Sequence, residues 1–409
     1  FLKKNQIDLL VHGEDNSNEI DKGKLLILPR TKGISSSELR KKSALIANKI
    51  KKNILLNPGP ATTTDTVKYA QVVPDICPRE KEFGDVMEFV SDELTKIIGD
   101  INEYFTVLFG GSGTAAVESI ITSVVPYDSN ILIINNGSYG QRMVEISKRF
   151  KIKYIEFKSS PIEPIDIKKL EELLKSKDNI SHLAVVHNET TTGLLNDLNR
   201  LGKLSKKYKV DLIVDAMSSY AALPIDMKRQ NISYLAASSN KNIQGLAGLS
   251  FVVANKQKLR NLKKIQPRGF YLSLFEQYEN FIKSKQMRFT PPVQTFYALK
   301  QAIIELKKEG LENRYIRYSN SWKQLTKSLR KMNLNYIVED KNHSRIITSI
   351  EIPRSVNFEE MHDFFYKKGF TIYPGKVTEF NTFRIANIGQ IDINDINEFL
   401  KLLKIYLKL

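Results

Sequence analysis

The sequence contains a single cysteine, Cys77, among its 409 residues. One thiol excludes an internal disulfide framework and any metal site built from several cysteines, and it is typical of a reducing compartment. No run of eighteen or more apolar residues is present, and the most apolar stretch, Leu246 to Ala254, has the length of a strand. We therefore expect a cytoplasmic protein without a membrane span.

Acidic residues are fewer than basic ones, 45 against 62, and the formal net charge at pH 7 is +17. The lysines are scattered over the faces of predicted helices, as in Lys203 to Lys209 and Lys256 to Lys264, rather than gathered into one stripe. A solvated surface explains such scatter better than a designed basic patch does. We do not expect nucleic-acid binding, although attraction of an anionic substrate stays open.

Helix and strand signals alternate from Asn53 to about residue 285, beginning with a Pro-Gly-Pro turn at 58–60. Such alternation predicts a mainly parallel sheet covered by helices, with functional residues where the strands end. The strand candidates are apolar runs that end in polar residues: Phe105–Phe109, Ile131–Ile134, Leu183–Val186, Asp211–Val214 and Leu249–Ala254.

The pattern changes after Met287. Long helices are predicted at about 292–309 and 312–332, followed by a strand near Arg345–Glu351 and a helix near 357–368, with a last strand and helix behind them. We therefore predict a large α/β domain over 53–285 and a smaller α+β domain over 286–409.

A glycine-rich loop, Gly110 to Thr114, follows a strand candidate and precedes a helix start at Ala115. Free backbone N–H groups and hydroxyls at such a position can bind a phosphate. The loop matches neither the Walker-A lysine pattern nor the dinucleotide glycine spacing, so a plain strand-to-helix turn stays open.

Asp215 ends the very apolar run Leu212 to Val214, where a carboxylate without a partner would be costly. A helix cap, a surface turn or a magnesium ligand would each explain it. A protonated ring nitrogen as its partner would also explain the phosphate loop.

Lys241 lies in an island of small and uncharged residues, Ala236 to Gly245, in a chain otherwise full of lysine and glutamate. Partial desolvation there would lower its pKa and favour imine formation. The loop, the aspartate and the lysine together indicate pyridoxal phosphate.

Several motifs, in the same order and spacing, resemble class-V aminotransferases. They are Leu56-Asn57-Pro58-Gly59-Pro60, Gly111 to Thr114, Asn136 to Gly140, His187 to Gly193, Val214 to Ser219 and Ser238 to Gly245. The ending, Tyr373 to Lys376 with Phe383 to Gly389, is similar to 2-aminoethylphosphonate:pyruvate transaminases. The resemblance covers roughly residues 53–409 and implies the type I fold of pyridoxal-phosphate transferases, with a mainly parallel seven-stranded sheet.

The resemblance implies a role for each matching residue. Lys241 would form the Schiff base and shuttle a proton. The implied cofactor contacts are Ser112, Gly113 and Thr114 at the phosphate, Tyr139 on the pyridine ring, Thr190 at the ring hydroxyl, Asp215 at the ring nitrogen, and also Met217, Asn240 and Thr290.

On the substrate side the resemblance implies that Arg384 clamps the carboxylate, with Gly59 beside the substrate. A structural salt bridge is the alternative for Arg384, and Arg79 is our guess for the phosphonate. Arg288 to Pro291 would reach the neighbouring subunit's cofactor phosphate, which implies a homodimer with shared sites. We assign no role to His187, which reads as a core histidine.

The residues before Asn53 lie outside this resemblance, and two short strands at 6–13 and 23–30 and a helix from Ser36 to about Lys52 are predicted there. His12 to Asp15 and Leu28 to Arg40 resemble the end of cytidylyltransferases, with Arg30 and Ser35–Ser37 matching the nucleotide-binding signature. The family's His-x-x-His motif would lie upstream of Phe1, so we interpret 1–52 as the remnant of a fusion that is inactive by itself. An ordinary N-terminal extension is the alternative.

Three other functions stay open. Another class-V enzyme, such as an alanine:glyoxylate aminotransferase, would share the cofactor site, whereas a cysteine desulfurase needs a cysteine on a late loop and Cys77 is early. The chain could also be mainly a nucleotidyltransferase, or a cofactor-binding protein without catalysis. These possibilities differ in the substrate that is turned over.

Overall fold

The computed structural model describes residues 10–13, 25–28, 52–375 and 380–409. The chain forms two compact units, Phe1–Lys52 and Asn53–Leu409. In the first unit, strands Leu10–Gly13 and Leu25–Leu28 pair in parallel, inside the two strands predicted at 6–13 and 23–30. The helix predicted from Ser36 onward and the signature at Arg30 and Ser35–Ser37 lie outside the described residues.

The strands alternate with helices along most of the second unit, as the sequence pattern predicts. The described strands are β1 (Leu10–Gly13), β2 (Leu25–Leu28), β3 (Ile54–Leu55), β4 (Tyr104–Gly110), β5 (Asn130–Asn135), β6 (Tyr154–Lys158), β7 (Ile180–Val186), β8 (Asn188–Glu189), β9 (Leu194–Leu195), β10 (Asp211–Asp215), β11 (Ile232–Ser238), β12 (Leu249–Asn255), β13 (Ile347–Glu351), β14 (Phe370–Thr371), β15 (Tyr373–Pro374) and β16 (Thr382–Ala386).

The described α-helices begin at capping residues in several cases, for example Asp197 before Leu198 and Asp392 before Ile393. They are α1 (Asp65–Tyr69), α2 (Lys81–Lys96), α3 (Gly113–Val124), α4 (Ser138–Arg149), α5 (Ile167–Ser176), α6 (Leu198–Tyr208), α7 (Lys256–Asn261), α8 (Leu274–Ser284), α9 (Val293–Glu309), α10 (Leu311–Lys331), α11 (Phe358–Lys367) and α12 (Ile393–Leu407). Short 3₁₀ turns cover Leu262–Lys264 and Asp340–Asn342. Within the described ranges, no helix is long and apolar enough to cross a membrane.

A seven-stranded sheet with the order β4-β12-β11-β10-β7-β5-β6 forms the centre of the second unit. β10 pairs in parallel with β11 and β7, and β12 runs antiparallel to both β11 and β4. Helices cover both faces of such a sheet, so its strands are buried almost throughout, as the continuous apolar runs require. The predicted mainly parallel seven-stranded sheet is confirmed.

The C-terminal part contains a three-stranded sheet in the order β13-β16-β15, in which both pairings are antiparallel. α10, α11 and α12 contribute to a second hydrophobic cluster that includes Leu325, Phe365 and Phe399. The helices and the strand predicted after Met287 are confirmed to within a few residues.

The division at residue 286 stays a prediction. Phe296, Leu299 and Ile303 of α9 are fully buried in the cluster that surrounds the seven-stranded sheet. This cluster therefore continues about twenty residues beyond the predicted boundary, as far as Leu306.

Candidate active site

One edge of the seven-stranded sheet gathers most of the predicted site. The carboxyl ends of β4, β5, β7, β10 and β11 meet there, because parallel strands share one direction. β12 runs the opposite way and begins at this edge, so the segment from Ser239 to Gly248 crosses it between β11 and β12. Lys241 lies in that crossing segment.

The glycine-rich loop joins β4 to the first turn of α3. Ser112 is the residue before the helix, and its side chain makes no capping hydrogen bond there. A Cβ atom on Gly113 would lie 2.4 Å from Sδ of Met217, so only glycine fits without moving that side chain. The first turn of a helix presents backbone N–H groups that can bind an anion, and the Met217 side chain packs against this turn at Gly113.

Lys241 points at the Pro-Gly-Pro turn. Its Nζ donates a hydrogen bond of 2.7 Å to the carbonyl of Pro58. A Cβ atom on Gly59 would lie 3.1 Å from the same Nζ, and Gly59 has a φ of +138°, so this position favours glycine on both counts. Burial lowers the pKa of Lys241 to about 8, which Asp215 partly opposes. A fraction of neutral, nucleophilic amine is therefore present near neutral pH.

Asp215 ends β10 as a buried carboxylate, with only 5% of its surface exposed. Its Oδ1 accepts a hydrogen bond of 2.9 Å from the backbone N–H of Met217. Burial raises its pKa, whereas that hydrogen bond and the charge of Lys241 act in the opposite direction. No Lys, Arg or His nitrogen of the described residues lies within 4.0 Å of it. A bound N–H group would supply the missing partner.

Tyr139 and Thr190 follow the ends of two other strands, β5 and β8. Tyr139 lies in the first turn of α4, and burial raises the pKa of its hydroxyl. The hydroxyl of Thr190 donates 2.9 Å to Oγ of Ser218, which donates 3.0 Å to the carbonyl of Asn188. Because this chain fixes the Thr190 hydroxyl, its oxygen keeps a lone pair for an incoming donor.

Arg384 is 1% exposed in β16. Its Nε donates 3.0 Å to the carbonyl of Pro374, and its Nη1 donates 3.4 Å to the carbonyl of Thr190. Burial lowers its pKa, and none of the described carboxylates lies within 4.0 Å of its nitrogens. A structural salt bridge is thus not seen within the described residues. A buried guanidinium in this state is suited to an anionic ligand.

Three other candidate residues, Arg79, Thr290 and Asn240, differ in their exposure and contacts. Arg79 is exposed and donates to the carbonyls of Met287 and Arg288 at 2.8 and 3.3 Å. Thr290 is exposed two residues further along. Asn240 is adjacent to Lys241, and its side-chain oxygen accepts 2.9 Å from Ser238 Oγ. The proposed role of Arg79 at the phosphonate receives no support from these contacts and stays a prediction.

Two site residues were not assigned a role from the sequence. Glu189 is fully buried, its Oε1 accepts from the N–H and hydroxyl of Thr191 at 3.0 and 2.6 Å, and burial raises its pKa to about 7. Arg142 donates 3.1 Å to Oγ1 of Thr114. Glu189 belongs to the motif His187 to Gly193, and Arg142 follows Tyr139 by one helical turn. Neither position in the sequence shows which loop the side chain contacts.

The arrangement fits pyridoxal phosphate. The first turn of α3 fits the phosphate, the carboxylate of Asp215 fits the ring nitrogen, and the Lys241 amine, which donates to the Pro58 carbonyl, fits the aldehyde carbon. A metal site is the alternative for Asp215, but the part of the chain that the structure describes holds no group of three His, Cys, Asp or Glu residues that could bind a metal. His187 is buried, and burial lowers its pKa to about 3, so its ring is neutral.

Comparisons with known proteins point the same way. A family model described as aminotransferase class-V matches residues 64–387. The 2-aminoethylphosphonate–pyruvate transaminase of Bacillus cereus (strain ATCC 10987 / NRS 248) is 38% identical over 348 residues, which cover 84% of this chain and 95% of that protein.

Two further matches bear on the fold and on domain organisation. A bifunctional phosphonoacetaldehyde hydrolase/aminoethylphosphonate transaminase of Clostridioides difficile (strain 630) is 38% identical over 84% of this chain, and the chain spans 54% of that protein. The solved structure of an alanine–glyoxylate aminotransferase from Nostoc sp. superposes with a TM-score of 0.82 at 22% identity, covering 88% of this chain and 96% of that one. The latter likeness shows the fold.

Proposed function

This chain belongs to the class-V aminotransferase family and uses pyridoxal phosphate, and from that premise we propose that it interconverts 2-aminoethylphosphonate and pyruvate with phosphonoacetaldehyde and alanine. The proposal is supported by relatives that carry this activity in their names over most of the chain. It is also supported by Arg384, a buried arginine whose charge acts on Lys241. Arg384 would bind the acidic group of each substrate in turn.

The observation that carries the proposal is that Lys241 and Asp215 both lie at one edge of the sheet, where each affects the pKa of the other. When bound, pyridoxal phosphate supplies an aldehyde carbon for an amine and a ring that accepts electrons. The lowered pKa of Lys241 leaves its Nζ free to take the proton from the amine-bearing carbon of the substrate. Asp215 would keep a proton on the ring nitrogen, and Thr190 would accept from the ring hydroxyl.

Arg384 would bind the carboxylate of pyruvate or alanine. Its guanidinium is held in orientation by the carbonyls of Pro374 and Thr190, so the remaining N–H groups are available as a rigid fork. Burial lowers the pKa of Arg384, and the Tyr139 hydroxyl acts in the opposite direction. Tyr139 therefore lies within electrostatic range of the guanidinium. The substrate would therefore lie between the Tyr139 ring, Lys241 and Arg384.

We also place the shared site of a homodimer at the segment around Thr290. Phe270 and Tyr271 are 75% and 48% exposed, and Tyr271 stacks on Phe289 with a centroid distance of 5.0 Å. The hydroxyl of Tyr271 lies 3.6 Å from the place of a Cβ atom on Gly110, at the start of the phosphate loop. Exposed aromatic residues beside a loop of this kind are suited to an interface between two copies.

A test of the activity uses a panel of amines with two acceptors. Purified protein loaded with pyridoxal phosphate is incubated with 2-aminoethylphosphonate, 3-aminopropylphosphonate, β-alanine or L-alanine, and with pyruvate or glyoxylate. The proposal predicts the highest kcat/KM for 2-aminoethylphosphonate with pyruvate. A preference for L-alanine with glyoxylate would instead establish the alternative class-V activity, and binding of the cofactor without turnover of any amine would leave only a cofactor-binding protein.

The direction in the cell is a separate proposal. The resemblance of residues 1–52 to cytidylyltransferases favours synthesis of 2-aminoethylphosphonate for coupling to CMP, whereas the hydrolase named in the Clostridioides difficile relative would consume phosphonoacetaldehyde. Transamination is nearly balanced, so the activity joined to it would draw it one way. Formation of CMP-aminoethylphosphonate from CTP and the amine by the protein as it occurs in the cell supports synthesis. Hydrolysis of phosphonoacetaldehyde without CTP turnover would overturn this proposal and leave the transaminase activity intact.

A further inference from the structure

Arg142 links two residues that the site needs. It lies in α4, one turn after Tyr139, and its guanidinium carbon is 4.8 Å from the centroid of the Tyr139 ring. Its Nη1 donates 3.1 Å to Oγ1 of Thr114, in the first turn of α3. A single side chain thus reaches from the predicted ring-stacking residue to the predicted phosphate loop.

The charge of Arg142 has no counterion among the described residues. No carboxylate of the described residues lies within 4.0 Å of its nitrogens, and its one hydrogen bond is to the neutral hydroxyl of Thr114. Its charge lowers the pKa of Asp215 and of Lys241, so its guanidinium lies within electrostatic range of both groups. The side chain is partly exposed rather than fully solvated. A partly buried guanidinium without a counterion is a binding group for an anion.

Lys241 and Arg384, the other two cationic residues considered for the site, have different partners. Lys241 is directed at the Pro58 turn and is the amine of the reaction, and Arg384 is held by Pro374 and Thr190 at the side of the small sheet. The anion closest to Thr114 would be the cofactor's phosphate. The first turn of a helix carries only a fraction of a positive charge, which leaves much of a dianion without compensation.

We propose that Arg142 is the positively charged residue of the phosphate subsite, because it donates to the Thr114 hydroxyl while its remaining N–H groups have no partner among the described residues. By donating to Oγ1, Arg142 leaves the Thr114 proton free to point at a phosphate oxygen. Its free N–H groups donate to the same dianion, and its stacking fixes the plane of Tyr139. This inference rests on the proposed position of the phosphate at Ser112 to Thr114.

The same chemistry, a tetrahedral phosphorus dianion, is present in the substrate's phosphonate, so the experiment has two arms. The first arm measures the dissociation constants of pyridoxal 5′-phosphate and of pyridoxal for cofactor-free protein, by equilibrium dialysis. The second arm measures KM for 2-aminoethylphosphonate at saturating cofactor. Arg142→Gln removes the charge, Arg142→Lys keeps it without the planar fork, and Arg149→Gln, on an exposed position of the same helix, is the control.

In the first arm, Arg142→Gln should weaken binding of pyridoxal 5′-phosphate roughly tenfold to hundredfold, the range of a lost hydrogen bond between charged groups. Binding of pyridoxal should stay within about twofold of the unsubstituted protein, because pyridoxal has no phosphate to lose. Arg142→Lys should recover part of the loss, and Arg149→Gln should show none.

Several results would overturn the inference. Equal weakening of both ligands would mean that Arg142 only supports the fold around Tyr139. Unchanged cofactor binding with a raised KM for 2-aminoethylphosphonate would assign Arg142 to the substrate's phosphonate instead. If Arg142→Gln does not fold, the same comparison is made with Arg142→Lys. Unsubstituted protein with no preference for pyridoxal 5′-phosphate over pyridoxal would mean that the phosphate position itself is wrong, which distinguishes that failure from failure of the Arg142 assignment.

Discussion

Replacing Arg384 by methionine should damage substrate binding far more than stability. The guanidinium is 1% exposed and donates to two carbonyls, but it has no carboxylate partner among the described residues. Loss of a buried charge pair with the substrate costs about 3 kcal/mol, which is roughly a 150-fold fall in kcat/KM for pyruvate. The free energy of unfolding should fall by at most about 1 kcal/mol, because two weak hydrogen bonds are lost while a buried, unpaired charge is removed.

Arg314→Met is the matched control, since Arg314 is 2% exposed but pairs with Glu309 at 2.7 Å and donates to the carbonyl of Asn242. It should lower the free energy of unfolding by about 2 kcal/mol, because it leaves buried acceptors without their donor. Urea unfolding followed by circular dichroism measures stability, and alanine formation measures kcat/KM. The reasoning is refuted if Arg384→Met keeps kcat/KM for pyruvate within about threefold, or if both variants lose the same stability.

Three further predictions concern the lysine, the aspartate and the dimer. Asp215→Asn should lower kcat more than it weakens cofactor binding, since the phosphate contacts remain, and equal losses in kinetics and in equilibrium dialysis would make Asp215 merely structural. Reductive methylation of cofactor-free protein, followed by peptide mapping, should modify Lys241 with a midpoint near pH 8. Because this folded-state pKa lies below the value of 10.5 for a free lysine, the free energy of unfolding should rise with pH between about 8 and 10.5. A labelling midpoint near 10.5 counts against the buried site. Mixed dimers of Lys241→Ala with a chain carrying Arg288→Ala and Thr290→Ala should regain part of the activity, because one composite site stays intact, and absence of recovery in verified mixed dimers contradicts shared sites.

The sheet could be predicted because each strand is a run of apolar residues that ends in a polar one. Asp211–Val214 and Leu249–Ala254 match β10 and β12 to within a residue at each end. The antiparallel direction of β12 could not be predicted, since an apolar run has no direction. The place of α9 was also not foreseen, because a helix with apolar residues on one side can pack on either neighbouring cluster.

Within the site, the residues that could be predicted are those whose neighbours in the sequence make them unusual. Asp215 and Lys241 stand out because a charge follows or interrupts an apolar, small-residue segment. Arg142 and Glu189 did not, because Arg142 contacts Thr114, 28 residues away, and the Glu189 carboxyl occupies the place of a Cβ atom on Gly137, 52 residues away. Arg79 has a long side chain that can reach several segments, so its contacts with residues 286–288 required the three-dimensional structure.

The central claim is that the amine of Lys241 holds the cofactor. Protein loaded with pyridoxal phosphate is reduced with borohydride, digested, and mapped by mass spectrometry, with Lys241→Ala treated in the same way. The account predicts a phosphopyridoxyl group on Lys241 in the unsubstituted protein, and no modified lysine in a Lys241→Ala protein that is folded but inactive. A label on any other lysine, or near-normal turnover by Lys241→Ala, would contradict it.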